Sequence, residues 1–472
     1  MTPATTDLVH HFAEAAANAR YEDLPVGAID AAKKSIIDTL GVILAASGME
    51  PAVRSVVEMV RETGGTPESS VIGFGYRAPA IMAAFANGAM AHSLDFDDQT
   101  PWGQHTSSSI VPAALAIAER EGDVSGQDMV TAVAVGQDIF ARLRRHVGWR
   151  KDWNLSQVVG VFAATAATGR LMRFSHRQIA NALGIASMQS SGIMEVVSGT
   201  GSDLRGMYAG FSAKGAVVAS LLAEKGISGV DALFEGKDGF FRTYFNGVYD
   251  REKMLDGLGV EYQGSGTLYK QWPAVGTAHS HIHATIELVT KFNLNIAEID
   301  EIRVAVGDYH KLMCMPLETR RAPTTLVDAR FSLPFLVALA AVHRRMSASD
   351  FTERALKDPA VLAAARKVVP FDDPALDWKM ELPPGRVELV TRDGRRLEQL
   401  GTRVPGSAER PLTLDEIIRK FGECAALAAT PISADRIGMV QKMGRDLEYL
   451  VNVADLLRPI RTSEPDISSM NL

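Results

Sequence analysis

The sequence predicts a mainly α protein: a large all-helical domain from residues 1–267 and 408–472, with a smaller α+β lid domain, 268–407, inserted toward the C-terminal part of the chain. Three observations carry this prediction. Apolar residues recur at helical spacing through the first two-thirds. From about residue 298 the period changes to the alternation of strands, and helical spacing returns after residue 413.

Taken in order, Thr6 or Asp7 can cap a first helix whose face is Leu8, Phe12 and Ala15 or Ala16. Pro25 stands where a first helical turn tolerates it, and Ile29, Ala32, Ile36, Leu40 and Ile43 follow as an apolar stripe. Residues 78–93, 110–121 and 127–146 repeat that pattern. The run VVGVFAATAATGRLMR, 158–173, is apolar nearly all round and reads as a central buried helix. Its many Ala and Gly residues suit closely packed helix pairs. Ile302, Val304 and Val306 then alternate like a strand, and Val387, Leu389 and Leu397 bracket TRDGRR, where Asp393-Gly394 signals a hairpin. Two helical stretches, DARFSLPFLVALAAVHRR and DFTERALKDPAVLAAARKV, lie between these strands. Thr413 and Glu416 form a capping box ahead of EIIRKFGECAALA, whose helix is expected to return to the first domain. The last dozen residues read as frayed.

Length alone suggests two or three domains. The formal charge of −7, without a long basic run, argues against nucleic acid or an anionic membrane as partner. Two cysteines, Cys314 and Cys424, cannot build a disulfide framework in 472 residues, which points to a reducing compartment. No signal-peptide pattern and no uninterrupted apolar run of ~18 residues is present, so a soluble cytoplasmic protein is expected.

The most informative stretch is AHSLDFDDQTPWGQHTSSS, 91–109, which gathers His92, Asp95, Asp97, Asp98 and His105 after an alanine-rich run. Such a cluster marks a metal site, a proton-transfer site or a solvated charge patch. Of the adjacent aspartates, one is expected to point inward and one outward. SGTGSDLRGMYAGFSAKGA, 198–216, places Arg205 and Tyr208 ahead of a helix, a pattern suited to a carboxylate or phosphate. No Walker or dinucleotide pattern follows a predicted strand, which excludes nucleotide binding. LYKQWPAVGTAHSHIHATIEL, 268–288, supplies Lys270, His279, His281 and His283; His279 and His283 share a helix face but have no matched third metal ligand. In APTTLVDARFSLPF, Asp328, Arg330 and Ser332 read as structural support.

The order NGAMAHSLDFDD, His105 with SSSIVPAALAIAE, GIASMQSSGI, RGMYAGFSAKGAVVASLLAEKGISG, YKQWPAVGTAHSHIHATIEL, DARFSLPF and VELVTRDGRRL resembles the MmgE/PrpD family over nearly the whole chain. That family includes 2-methylcitrate dehydratase, cis-aconitate decarboxylase and iminodisuccinate epimerase. The resemblance implies a cofactor-free enzyme, usually a homodimer, whose active site lies between a helical domain and an α+β lid, and the partners at Arg205, Lys270 and His279 favour a metal-free carboxylate pocket. Its chemistry is proton transfer beside a carboxylate, followed by loss of water or CO2 or by re-protonation.

Carried over position by position, the resemblance makes Asp95, His105, Lys270 and His279 catalytic, with Arg205, Gln99, Tyr208 and Asn154 binding substrate. Four positions depart from the family pattern. Gln99 stands for a threonine, Arg205 for the decarboxylase-type lysine, Asn154 for a common histidine, and Val275 for a second decarboxylase histidine. Arginine binds a carboxylate bidentately but cannot shuttle protons near neutral pH, so Arg205 reads as a clamp. Backbone amides near Gly201 and Gly206 are expected to help it. Proton transfer then falls to His105, Lys270 or His279, and the decarboxylase reading is weakened. The expected function is a dehydratase-type lyase on a hydroxylated di- or tricarboxylate. The alternatives are an epimerase of a dicarboxylate, a decarboxylase of a cis-aconitate-like acid, or a non-catalytic carboxylate binder.

Overall fold

The computed structural model describes residues 6–461 apart from 149, 151, 200, 201 and 380; the C-terminal dozen expected to fray lies, but for Arg461, outside them. The protein is mostly helical with a small mixed sheet. Helix α1 (Leu8–Asn18) starts where Asp7 accepts the Val9 N–H, and α2 (Val26–Met49) starts behind Pro25. Then come α3 (Pro51–Thr63), a short hairpin of β1 (Ser69–Val71) and β2 (Tyr76–Ala78), α4 (Ala80–Ser93), α5 (Ser107–Glu121), α6 (Gly126–Arg145), α7 (Leu155–Leu171), α8 (His176–Ala186) and α9 (Leu204–Glu224). The hairpin corrects the expectation of an all-helical first domain. Three-residue strands show no readable alternation; their signal was Gly73 and Gly75, which take φ of 86° and 74° at the turn.

The crossing of α4 and α9 sets the site. A Cβ on Gly88 would meet Gly210 Cα at 2.8 Å, and one on Gly210 would meet Phe85 O at 2.6 Å. Only glycine at both positions lets the backbones approach this closely, and the C-terminal end of α4 then lies beside the first turn of α9. By length and composition α9 could cross a membrane, but it is largely buried inside the protein.

A second apolar core is built from α10 (His279–Lys291), β3 (Ile299–Val306), α11 (Leu326–Arg330), α12 (Leu333–His343), α13 (Pro359–Arg366), β4 (Val368–Asp372), β5 (Gly385–Thr391) and β6 (Arg396–Gly401). The sheet order is β4-β3-β5-β6, parallel between β3 and β4 and antiparallel elsewhere. Gly394, at φ 85°, makes the turn between β5 and β6. Ile302, Val304, Val387 and Leu389 face this core. Helix α14 (Leu414–Ala425) carries the Thr413–Glu416 capping box and packs on α2, so Ile417 and Phe421 join the first core.

The two cores meet at a buried ion pair. Arg330, at the end of α11, donates from Nη1 to Glu50 Oε2 at 2.7 Å and to Ser93 O at 3.1 Å. The Arg330 carbonyl accepts the Val275 N–H at 3.0 Å. The residue read as structural support thus joins the last residue of α4 to the segment before α10, and the cavity described next lies there.

Candidate active site

Helix α4 ends at Ser93, and the chain turns so that Asp95 takes φ 48°, a left-handed conformation that Asp tolerates better than most residues. Lys270 holds it there. Its Nζ donates to Asp95 Oδ1 at 2.6 Å and to Asp95 O at 3.0 Å, with both residues almost fully buried. Lys420 from α14 braces the same region from beneath, donating to Phe96 O at 2.7 Å and Lys270 O at 3.0 Å. Its ammonium also pairs with Asp38 on α2 at 2.7 Å. Burial pushes the Asp38 carboxyl up to about 6, against the pull of Lys420.

The aspartates after Phe96 correct the expectation of one inward and one outward side chain, because both are fully buried. Asp98 holds the start of α5, accepting the Ser107 N–H at 3.0 Å and the Ser35 hydroxyl at 2.8 Å. Asp97 does different work. The His92 Nδ1 lies 3.0 Å from Asp97 Oδ1, and the His105 Nδ1 lies 3.2 Å from Asp97 Oδ2. Burial opposes the charged form of Asp97, but the His105 and His92 imidazoles hold it well below the usual carboxylate range. Burial lowers His92 despite Asp97, so this imidazole is neutral near pH 7.

The contacts of His105 assign its tautomer. Its Nδ1 lies 2.9 Å from the Asp98 carbonyl, which only accepts, so Nδ1 carries the proton and Nε2 is left basic. Nε2 is 3.5 Å from Asp95 Oδ1, and the backbone N–H of His105 donates to Ser156 Oγ at 3.2 Å. An imidazolium formed here would therefore face two carboxylates.

His92, Asp95, Gln99, His105, Asn154, Arg205, Tyr208 and Val275 line one cavity of about 750 Å³, including its mouth. Arg205 and Tyr208 stand within the first turns of α9, which corrects the expectation that they precede the helix. The Gly206 N–H donates to Asp203 O at 3.0 Å inside that turn, so it is not turned to a ligand; Gly201 lies outside the described residues. The Arg205 guanidinium stacks 3.4 Å from the centre of the Phe331 ring. Burial, with Arg320 nearby, lowers it to about 9, and among the described residues no carboxylate pairs with it. Tyr208 packs on His92 with ring centres 4.4 Å apart, and burial raises its phenol well above the usual range.

Asn154 caps α7 by position, yet its side chain makes no cap bond, forgoing an interaction that is typically worth about 1 kcal/mol. Its Nδ2 is buried with no hydrogen-bond partner among the described residues, as are Gln104 Oε1 and Thr277 Oγ1 at the same cavity. The Gln99 side chain lies over Gly276, where a Cβ would meet its Oε1 at 2.1 Å.

Lys270 is absent from the cavity lining and reaches the cavity through Asp95. His279 is also outside the lining. Its Nε2 lies 3.1 Å from Ala274 O, Trp272 packs against its ring, and burial together with Lys270 lowers it to about 3. His283 shares the Trp272 face and pairs with Glu287 at 3.4 Å.

By geometry His92, Asp95, Asp97 and His105 could hold a metal ion, with one ligand atom from each lying within 4.8 Å of the others. A cation entering there would compete with the Lys270 ammonium for Asp95. Sequence reasoning passed over Asp97 as a partner of both imidazoles, and also Ser156, Gln104, Thr277, Tyr309, Met313 and Phe331. Only the DFDD cluster gave any of these a local signal.

Residues 10–252 match the MmgE/PrpD N-terminal domain, and residues 272–443 match the MmgE/PrpD C-terminal domain. Similar proteins include the cis-aconitate decarboxylase of Aspergillus terreus, 24% identical over 94% of this chain and 93% of its own length. The human cis-aconitate decarboxylase is 22% identical over 93% and 92%. The 2-methylcitrate dehydratase of Cupriavidus necator is 25% identical over 82% and 83%.

Proposed function

The chain belongs to the MmgE/PrpD family, and we propose that it is a lyase that removes water from a small hydroxylated carboxylic acid. One observation carries this reading: His105 lines the cavity with Nδ1 tied to a carbonyl and Nε2 left basic, in the same cavity as Arg205, which makes no ion pair with a carboxylate among the described residues.

The substrate carboxylate docks on Arg205, whose planar fork suits it. His105 Nε2 takes the proton from the adjacent carbon, and the negative charge that develops on the carboxylate is stabilised by Arg205. The imidazolium is flanked by Asp95 and Asp97. It returns the proton to the departing hydroxyl, the carbon–oxygen bond breaks, water leaves and an alkene remains. Asp95 is positioned by Lys270, and Tyr208 offers a neutral phenol as a hydrogen-bond donor. The α+β unit closes the cavity as a lid in this reading.

Decarboxylation is the second reading, supported by likeness to cis-aconitate decarboxylases along nearly the whole chain. Incubation with candidate hydroxy acids in D2O separates the chemistries. A new alkene with release of water supports the dehydratase, whereas CO2 release assigns the decarboxylase. Deuterium in recovered, stereochemically inverted substrate without alkene assigns an epimerase.

A further inference from the structure

The polar complement of the cavity is unbalanced. Among its described lining residues the cations are Arg150 and Arg205, with His92 lowered by burial and His105 between two carboxylates. Arg150 is paired with Asp152, its Nε donating to Oδ1 at 2.8 Å. Lys270 is neutralised by Asp95, and Arg144, which is buried, does not line the cavity. Arg205 is therefore the one described lining guanidinium without a carboxylate partner.

Apart from Asp95, whose carboxylate Lys270 holds, the other buried polar groups named at the wall are neutral. Asn154 is 4% exposed and Gln104 7%, and Asn154 Nδ2, Gln104 Oε1 and Thr277 Oγ1 have no hydrogen-bond partner among the described residues. Asn154 stands at the N-terminus of α7 without capping it, so its amide is turned to other use. A donor at Asn154 and an acceptor at Gln104 complement a group that both accepts and donates, such as a carboxamide or hydroxyl. A second carboxylate placed there would be buried against Gln104 Oε1 with no unpaired cation among the described lining residues, other than the Arg205 already used, to offset the loss of its hydration.

We propose that Asn154 and Gln104 are specificity-determining residues that bind a neutral hydrogen-bonding end of the substrate, so that the preferred acid carries one carboxylate on Arg205 and a carboxamide or hydroxyl at the amide wall. This rests on the assignment of Arg205 as the carboxylate clamp and narrows the substrate range away from tricarboxylates.

Titration calorimetry with three unreactive probes tests it: succinamate, succinate and propane-1,2,3-tricarboxylate. Succinamate should bind about tenfold more tightly than either other acid, because a neutral amide avoids burial of an unpaired charge. Asn154→Ala should weaken succinamate about fivefold, the worth of one hydrogen bond, and leave succinate within about twofold. Asn154→His at pH 6 should narrow the gap between succinate and succinamate. Equal or tighter binding of the di- and tricarboxylate, or no binding of succinamate, overturns the proposal. Arg205→Met, checked for folding by thermal melting, separates the two levels. If it binds all three probes as the wild type does, the carboxylate-clamp reading itself fails. If it loses them while the wild type prefers the polycarboxylates, only the narrower inference fails.

Discussion

Lys270 is bonded to Asp95 twice, once through the carboxylate at 2.6 Å and once through the main-chain carbonyl at 3.0 Å. The second bond matters because Asp95 has a positive φ. One ammonium thus neutralises the buried carboxylate and fixes the turn that presents it to His105. Replacing Lys270 by Met should leave Asp95 as an uncompensated buried charge and destabilise the fold by about 3–5 kcal/mol. Adding Asp95→Asn to Lys270→Met should recover most of that stability and none of the turnover. Urea unfolding of the two single variants and the double variant measures it; additive losses would show that the pair is not coupled.

His105 supplies the basic nitrogen. His105→Gln should lower kcat by roughly 10²–10⁴, the usual range for a general base, with an unchanged far-UV CD spectrum and melting temperature. Near-normal turnover in a folded His105→Gln protein would remove the imidazole from the mechanism.

Sequence and structure meet unevenly, for physical reasons. Asp95, His105, Asn154, Arg205, Tyr208 and Gln99 were legible, and the structure brings all six to one cavity. Most stand where an apolar helical run meets a cluster of ionisable or glycine residues, and such a junction is visible along a single segment. Tyr309 and Met313 line the same cavity but reach it from a separate segment that no local pattern marks, whereas Gln104 and Phe331 stand inside marked stretches as neutral side chains with no signal of their own. His279 had a strong sequence signal because it opens a histidine-rich helix. Its ring nonetheless lies outside the lining, since Trp272 and the Ala274 carbonyl hold it. The capping box at Thr413 and the Asp393-Gly394 turn were readable because their chemistry is complete within four residues. The strands of the hairpin at 69–78, three residues each, are too short for any period.

The glycine crossing of α4 and α9 should be felt at the site although neither glycine lines the cavity. In Gly210→Ala the new methyl would meet Phe85 O and push the helices apart. Overpacking of this kind typically costs about 1–3 kcal/mol. The same shift would separate Tyr208 from His92, whose rings now stand 4.4 Å apart, so kcat should fall as well. A leucine-to-alanine change elsewhere in the first core, matched in stability loss, is the control. If it lowers kcat equally, the crossing has no special role in positioning.

Acid stability should follow a group of buried neutral histidines. Burial lowers His279 and His310 to about 3 and His281 to about 4, and it lowers His92 as well. A histidine lowered in the folded state contributes stability that is complete above its unfolded value of about 6.5. That stability is lost as pH falls toward the folded value, because only the unfolded chain takes up the proton. Unfolding free energy should therefore fall between pH 6.5 and about 4, with each such group adding up to about 1.4 kcal/mol per pH unit. His281 offers the cleanest test, since it stands in the second core against His310, with Nε2 at 2.8 Å from Ala305 O. His281→Gln can keep that bond to the carbonyl and removes one titrating group. Its slope of stability against pH should be shallower than that of the wild type by about one proton across pH 5–6. An unchanged slope would mean that His281 takes up its proton equally in the folded and unfolded chains.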